Sequence, residues 1–254
     1  MKSFRAILIT GASSGLGRAL AELYAAPGVT LLLTGRNALR MKDAMVACRD
    51  KGATVEATAI DVTDREAFEK HLLEWDDKYK IDLIIANAGI SGGMGRDSAE
   101  TENIFREIMR TNLDGTFNTV NPLIPRMKAR RAGQIVLLSS MAGFRGLPSA
   151  AAYSVSKNAV RAYGEALRPL LKPHGIGVNV VCPGFIRTPM TKVNDFPMPF
   201  LMEVDEAARR VKAGIEKDKP VIAFPLPMFL LMSFITCLPR RLGDFILSKA
   251  PKKP

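Results

Sequence analysis

Histidine and cysteine are scarce in this chain, at two and three residues among 254. His71 and His174 are isolated from each other, and Cys48, Cys182 and Cys237 show neither C-x-x-C spacing nor a histidine partner. Zinc sites and disulfide frameworks are built from such clusters, so neither a metal nor a disulfide-stapled fold is expected. Three dispersed cysteines suit a reducing compartment, where they serve as small buried hydrophobes. Aromatic residues make up only 7% of the chain, and they do not accompany its basic residues. This decides a question raised by the net charge of +11, because a basic surface without stacking platforms is a poor nucleic-acid site. The densest internal basic run, Arg126, Lys128, Arg130 and Arg131, closes a helical pattern, where cations complement the helix dipole. Nucleic acid is therefore not expected as a partner.

The chain also lacks a Gly/Ser-rich linker, a compositional break and an internal repeat. With 47% hydrophobic and 24% charged residues it is globular, and residues 1–254 are expected to form one domain. The apolar run after Met1-Lys2-Ser3-Phe4-Arg5 stops at Ile9, too short for the core of a signal peptide. It reads as a first strand, and a cytoplasmic protein is expected.

What is present is a regular alternation of short apolar runs and helical patterns. Strands are expected at Ala6 to Thr10, Thr30 to Thr34, Thr54 to Ala59, Leu83 to Ala86, Gln134 to Ser139, Gly177 to Cys182 and Val221 to Phe224. Such alternation predicts an α/β fold, a doubly wound parallel sheet of about seven strands with helices on both faces. Ligands of these sheets bind beyond the carboxyl ends of the strands.

Two motifs carry chemistry. Tyr153-Ser154-Val155-Ser156-Lys157 follows Ser140 by thirteen residues. If residues after Ala151 are helical, Tyr153 and Lys157 share one face at i and i+4. A phenol ordinarily titrates near ~10, and an adjacent ammonium is expected to lower that value into the range useful for acid–base work. Ser140, just past the apolar run Ile135-Val136-Leu137-Leu138, is placed to donate a hydrogen bond to a substrate oxygen. The second motif is Gly11-Ala12-Ser13-Ser14-Gly15-Leu16-Gly17 between the first strand and the next helical pattern. A glycine turn there lets backbone N–H groups and a helix N-terminus approach a pyrophosphate. Its spacing is Gly-x-x-x-Gly-x-Gly, not Gly-x-Gly-x-x-Gly.

With Thr10, Asp61, Asn87-Ala88-Gly89, Asn112, Pro183-Gly184 and Thr188 added, the order and spacing resemble the short-chain dehydrogenase/reductase family over about residues 4 to 190. The resemblance implies a Rossmann-type, nicotinamide-dependent oxidoreductase that interconverts a carbonyl and an alcohol. It implies four catalytic residues: Tyr153 as proton donor, Ser140 polarising the substrate oxygen, Lys157 holding the ribose, and Asn112 linking Lys157 to solvent. The implied cofactor contacts are Gly11, Ser13, Ser14, Gly15, Leu16 and Gly17 at the pyrophosphate, Asp61 and Val62 at the adenine, and Asn87, Ala88 and Gly89 beneath the cofactor. Pro183, Gly184, Ile186 and Thr188 are implied at the nicotinamide, with Tyr153 and Lys157.

The second strand ends in Gly35-Arg36-Asn37, where an NAD-preferring site usually carries an acid. Arg36 can instead pair with a 2′-phosphate. NADP(H) is favoured on this ground, in the reductase direction, with NAD(H) still open. Ser14 stands where many NADP-using relatives carry a second basic residue.

Substrate identity is less legible. The resemblance implies a substrate cover at about 188–220, and its methionines, phenylalanines and prolines fit either an apolar substrate or a lid packing on its own pocket. The uncharged stretch Val221 to Leu238 heads an apolar C-terminal segment, 221–247, and is flanked by Arg240, Arg241 and Lys249, Lys252 and Lys253. Pro225 and Pro227 divide it into a strand and a helix too short to span a bilayer. Three readings stay open: a roof over the substrate pocket, a contact within a homodimer or homotetramer, or a peripheral anchor to the inner face of a membrane. The alternatives to a soluble reductase are a non-catalytic NAD(P)-sensing scaffold and a membrane-associated reductase of a lipid-like substrate.

Overall fold

The computed structural model describes residues 2–92, 101–148 and 150–248. Strands β1 (Ala6–Thr10), β2 (Thr30–Gly35), β3 (Thr54–Ala59), β4 (Leu83–Ala86), β5 (Gly133–Leu138), β6 (Ile176–Pro183) and β7 (Val221–Phe224) form one sheet in the order β3-β2-β1-β4-β5-β6-β7. Every neighbouring pair is parallel, with Ile7 opposite Leu31 on one side and Leu83 on the other. The expected strands are all present. β5 begins and ends one residue earlier than its apolar pattern suggested, and β6 is one residue longer at each end.

The period-two alternation of strand side chains sorts the core into two layers. Ile7, Ile9, Leu31, Leu33, Leu83, Ile85 and Val136 point to one face, and Leu8, Leu32, Ile84, Ile135 and Leu137 to the other. Because both faces are covered, the strands read as continuous apolar runs rather than alternating ones. Each such fully buried leucine or isoleucine contributes about 1.5–3 kcal/mol relative to exposure.

Helices α1 (Gly15–Tyr24), α2 (Ala38–Arg49) and α9 (Val204–Glu216) cover the first face. The second is covered by α3 (Arg65–Tyr79), α6 (Ile124–Arg130) and α7 (Ala151–Leu171). The remaining helices are α4 (Glu102–Met109), α5 (Gly115–Val120), α8 (Pro189–Lys192), α10 (Leu226–Cys237) and α11 (Arg240–Ser248). Chain order reverses at β1, whose neighbours are β2 and β4. A crevice opens at such a reversal, beyond the carboxyl ends of the strands.

Two expectations need correction. The interval 188–220 is not all substrate cover: α9 buries Ala207, Ala208, Val211 and Ile215 in the core, because these small and apolar residues recur on the helix face turned to α1. Only the part before α9 is free to cover a pocket. Cys48 and Cys182 are buried, but Cys237 is exposed at the end of α10. Lys249, Lys252 and Lys253 lie outside the described residues.

Candidate active site

The crevice is lined at one end by the glycine turn, at the other by Ser140, Tyr153 and Lys157. Gly11 has φ +66°, and a Cβ there would stand 2.9 Å from the Ala88 Cα. Only glycine allows both the left-handed backbone and this approach of the turn to the end of β4. Thr10 and Asn87 lace the two strand ends together: Thr10 Oγ1 accepts from the N–H groups of Asn87 (3.0 Å) and Ala88 (3.1 Å), and Asn87 Nδ2 donates to the Thr10 carbonyl (2.9 Å). Ser14 precedes α1 in extended backbone without a side-chain cap, and the first turn of the helix holds no acid. Its orphan N–H donors and partial positive charge therefore face the crevice. A glycine turn lining the crevice, continued by uncapped helix donors, fits a dinucleotide pyrophosphate.

At the far rim Arg36 lines the crevice together with Arg40. Arg40 carries no sequence signal of its own: Arg36 stands before the extended cap residue Asn37 and Arg40 in the first turn of α2, so only the fold brings them to one rim. Asn37 caps α2 by accepting from the Arg40 N–H at 2.9 Å, which fixes the first turn. Both arginines are exposed. Asp61 and Val62 line the same end. Asp61 Oδ1 accepts from the Thr63 N–H at 2.9 Å, while Asp64 caps α3, so Asp61 shapes the turn and the cap is its neighbour's task.

At the other end, α7 carries Tyr153 and Lys157 on one face, with Lys157 Nζ 5.7 Å from the centre of the Tyr153 ring. Ser140 caps a short turn, accepting from the Ala142 N–H at 3.1 Å, and hydrogen-bonds the Tyr153 phenol. Lys157 is buried and donates to the Leu138 carbonyl at 2.8 Å. The Ser139 hydroxyl, also unforeseen, holds the Lys157 carbonyl at 2.7 Å and so ties α7 to the end of β5.

The electrostatics correct one expectation. Burial pushes the Tyr153 phenol above its ordinary value, with the Ser140 hydrogen bond pulling the other way. Burial also lowers Lys157 to about 8. Desolvation penalises both charged forms, and Lys157 directs a proton at a backbone carbonyl, so the ammonium does not bring the phenol into the neutral range here. Tyr153 accordingly keeps its proton at neutral pH.

Asn112 does not reach the crevice. It lies in a π-helical turn, Arg110–Asp114, between α4 and α5 rather than in a regular helix. Its amide is occupied: Oδ1 accepts from the Ile90 N–H at 2.8 Å, and Nδ2 donates to the Ile90 carbonyl and to Ser156 Oγ, both at 3.0 Å. Gly89 passes between it and the lysine, since a Cβ there would meet Asn112 Oδ1 at 3.1 Å and Lys157 Nζ at 3.3 Å. Gly17 also stands behind the wall, packed against Gly11 and Asn87. The other expected residues, Ser13, Ser14, Gly15, Leu16, Asn87, Ala88, Gly89, Pro183, Gly184, Ile186 and Thr188, all line the crevice. Thr188 caps α8 in a reciprocal box with Thr191, which brings Met190 and Thr191 to the same wall.

The model of the short chain dehydrogenase family matches residues 5–196. An uncharacterized oxidoreductase of Myxococcus xanthus is 37% identical over 243 residues, covering 95% of this chain and 96% of that protein. A monensin polyketide synthase putative ketoacyl reductase of Streptomyces virginiae is 36% identical, covering 74% and 73%. A 3beta-hydroxysteroid dehydrogenase of Mediterraneibacter gnavus is 35% identical, covering 73% and 67%. Among solved structures, a short-chain dehydrogenase of Sphingobium yanoikuyae in complex with NADPH superposes with TM-score 0.80 at 28% identity, covering 97% and 96%. One from Mycobacterium paratuberculosis bound to NAD gives 0.75 at 27% identity, covering 86% and 94%. The reversal of strand order, the glycine turn beside it and the likeness to relatives over nearly the whole chain lead to one conclusion: the protein belongs to the short-chain dehydrogenase/reductase family, NAD(P)-dependent oxidoreductases acting on CH–OH groups.

Proposed function

We propose that the protein is an NADPH-dependent reductase of an apolar ketone or aldehyde. The observation that carries the cofactor preference is the pair Arg36 and Arg40 on the rim beyond β2, where an NAD-selective site would present an acid. Two guanidinium groups recognise a 2′-phosphate by charge-assisted bonds and gain nothing from a bare ribose. On this reading the glycine turn and the α1 N-terminus hold the pyrophosphate, and Asp61 and Val62 flank the adenine. The backbone of Asn87, Ala88 and Gly89 runs beneath the cofactor. Pro183, Gly184, Ile186 and Thr188 hold the nicotinamide end, and Lys157 the ribose.

When bound, the reduced nicotinamide supplies a hydride. Tyr153 gives its proton to the substrate oxygen, a role matched to a phenol that stays protonated at neutral pH. Ser140, already bonded to that phenol, orients and polarises the oxygen. Asn112 acts from behind, pinning Ile90 and so holding the Gly89 backbone beside Lys157.

The apolar substrate class is supported by Met190 in the crevice wall and by Met228, which packs against Gly184. It also agrees with relatives named for a ketoacyl group and a steroid. The test is the rate of NADPH and NADH oxidation with ketones and aldehydes of graded polarity. Faster turnover with NADPH and with the less polar carbonyls is expected; faster turnover with NADH, or none with any carbonyl, refutes the assignment.

A further inference from the structure

An apolar face is left open at the C-terminal end of the described chain. On α10, Leu226, Leu230 and Phe234 repeat at i, i+4 and i+8, so they line one side of the helix, and Phe234 is 61% exposed. Leu231 extends the same side. The opposite side packs inward, with Met232 and Ile235 against Met141 and Leu247. On α11, Gly243 and Leu247 face inward while Leu242 and Ile246 are exposed.

This face is held in place. Arg145, from the loop that carries Ser140, donates to the Ile235 carbonyl at 3.0 Å, to the Arg240 carbonyl at 3.2 Å and to Asp244 at 2.9 Å. Gly243 leaves room for its guanidinium. The guanidinium therefore fixes α10 and α11 to the body with their apolar sides outward.

The charge around the face has one sign. Arg240 and Arg241 are exposed beside it, and Lys249, Lys252 and Lys253 follow in the sequence. Asp244, the sole acid of residues 225–254, is tied to Arg145. No helix among the described residues is long and apolar enough to cross a membrane, and the 12 residues of α10 span only about 18 Å against a hydrocarbon core of about 30 Å.

We infer that α10 and α11 form a docking surface for an anionic lipid membrane, with α10 lying flat in the bilayer interface. An uncharged helix side bordered by arginines matches acyl chains flanked by anionic headgroups. A second copy of this chain matches it less well, because it brings the same basic rim and the same net charge of +11. The surface goes beyond the reductase reading and does not depend on it. It borders the crevice, since Met228 of α10 packs against Gly184.

The test is flotation of the full chain with NADPH on vesicles of phosphatidylcholine, with and without phosphatidylglycerol. Tighter binding to the anionic vesicles is expected. Arg240→Gln with Arg241→Gln should weaken that binding about thirtyfold and leave the weaker binding to neutral vesicles unchanged. Leu230→Ser with Phe234→Ser should weaken it about a hundredfold. Both variants should keep the wild-type melting temperature and NADPH affinity, which separates lost docking from lost folding. Equal partition of the wild type to neutral and anionic vesicles overturns the inference, as does undiminished binding by the Leu230/Phe234 variant. So does a dimer that fails to float and that the same variant dissociates.

Discussion

Replacing Arg36 and Arg40 by alanine, singly and together, should cost affinity for NADPH and spare NADH. A hydrogen bond to a charged group contributes about 1.5–3 kcal/mol, and both side chains are exposed, where solvent screening holds each near the lower bound. Each single substitution should therefore weaken NADPH binding about tenfold, at 1.4 kcal/mol per factor of ten. The two arginines border the same rim of the crevice and, on this reading, share one phosphate. Their effects should couple, leaving the double variant between about tenfold and a hundredfold weaker than wild type. Arg36→Glu should go further and reverse the preference, because a carboxylate repels the phosphate and accepts from ribose hydroxyls. The assay is a fluorescence titration of each variant with NADPH and NADH, repeated at high salt, where a phosphate contact at an exposed site weakens. Equal losses for both cofactors, or an unchanged NADPH affinity in the double variant, would refute the reasoning.

Tyr153→Phe should abolish carbonyl reduction while leaving NADPH affinity nearly intact, since it removes only the transferable proton; substantial residual turnover would discard the proton-donor role. Lys157→Met tests the buried cation through stability. The folded-state pKa of Lys157 is about 8, against about 10.4 unfolded, so below pH 8 both states carry the proton and the burial penalty is fully present. Between those two values the unfolded chain keeps the proton and the folded chain loses it, so wild type should gain on the methionine variant by about 3 kcal/mol as pH rises. Denaturant unfolding across that window reads the gap, and a pH-independent gap contradicts the assignment. Arg145→Ala should leave the Ile235 and Arg240 carbonyls and Asp244 without their shared donor, at a cost of about 2 kcal/mol. Faster proteolysis between α10 and α11 is the expected readout, and cleavage at the wild-type rate would show that the clamp does not hold them.

The central strands could be read from the sequence because a parallel sheet covered on both faces buries nearly every side chain of its inner strands, whereas edge strand β3 is largely half-buried or exposed. Ile7, Leu8 and Ile9 are fully buried for that reason, and the run stands out against its polar flanks. Tyr153 and Lys157 were legible because helical spacing alone brings i and i+4 together. Arg40 was not legible in the same way, because Arg36 lies outside α2 and the two meet at the rim only in the folded chain. Ser139 gave no comparable signal: its bond to the Lys157 carbonyl joins two elements that meet only in the folded chain. Asn112 shows the limit from the other direction. Its place in the motif order was clear, but its π-helical turn and its grip on Ile90 depend on packing between α4 and α7.

Sequence by itself determined the alternation of elements, the glycine turn, the residues at the strand ends and the uncharged stretch near the C-terminus, because each follows from local periodicity or from the chemistry of single side chains. Tertiary structure decided the balance of charge and surface. Low polarity around Tyr153 and Lys157 raises one pKa and lowers the other, although their neighbouring positions alone suggested mutual stabilisation. The apolar residues of α10 were equally visible in the sequence. Only the fold turns Met232 and Ile235 inward and leaves Leu226, Leu230 and Phe234 facing out, since which side of a helix is buried depends on where the rest of the chain provides a surface to receive it.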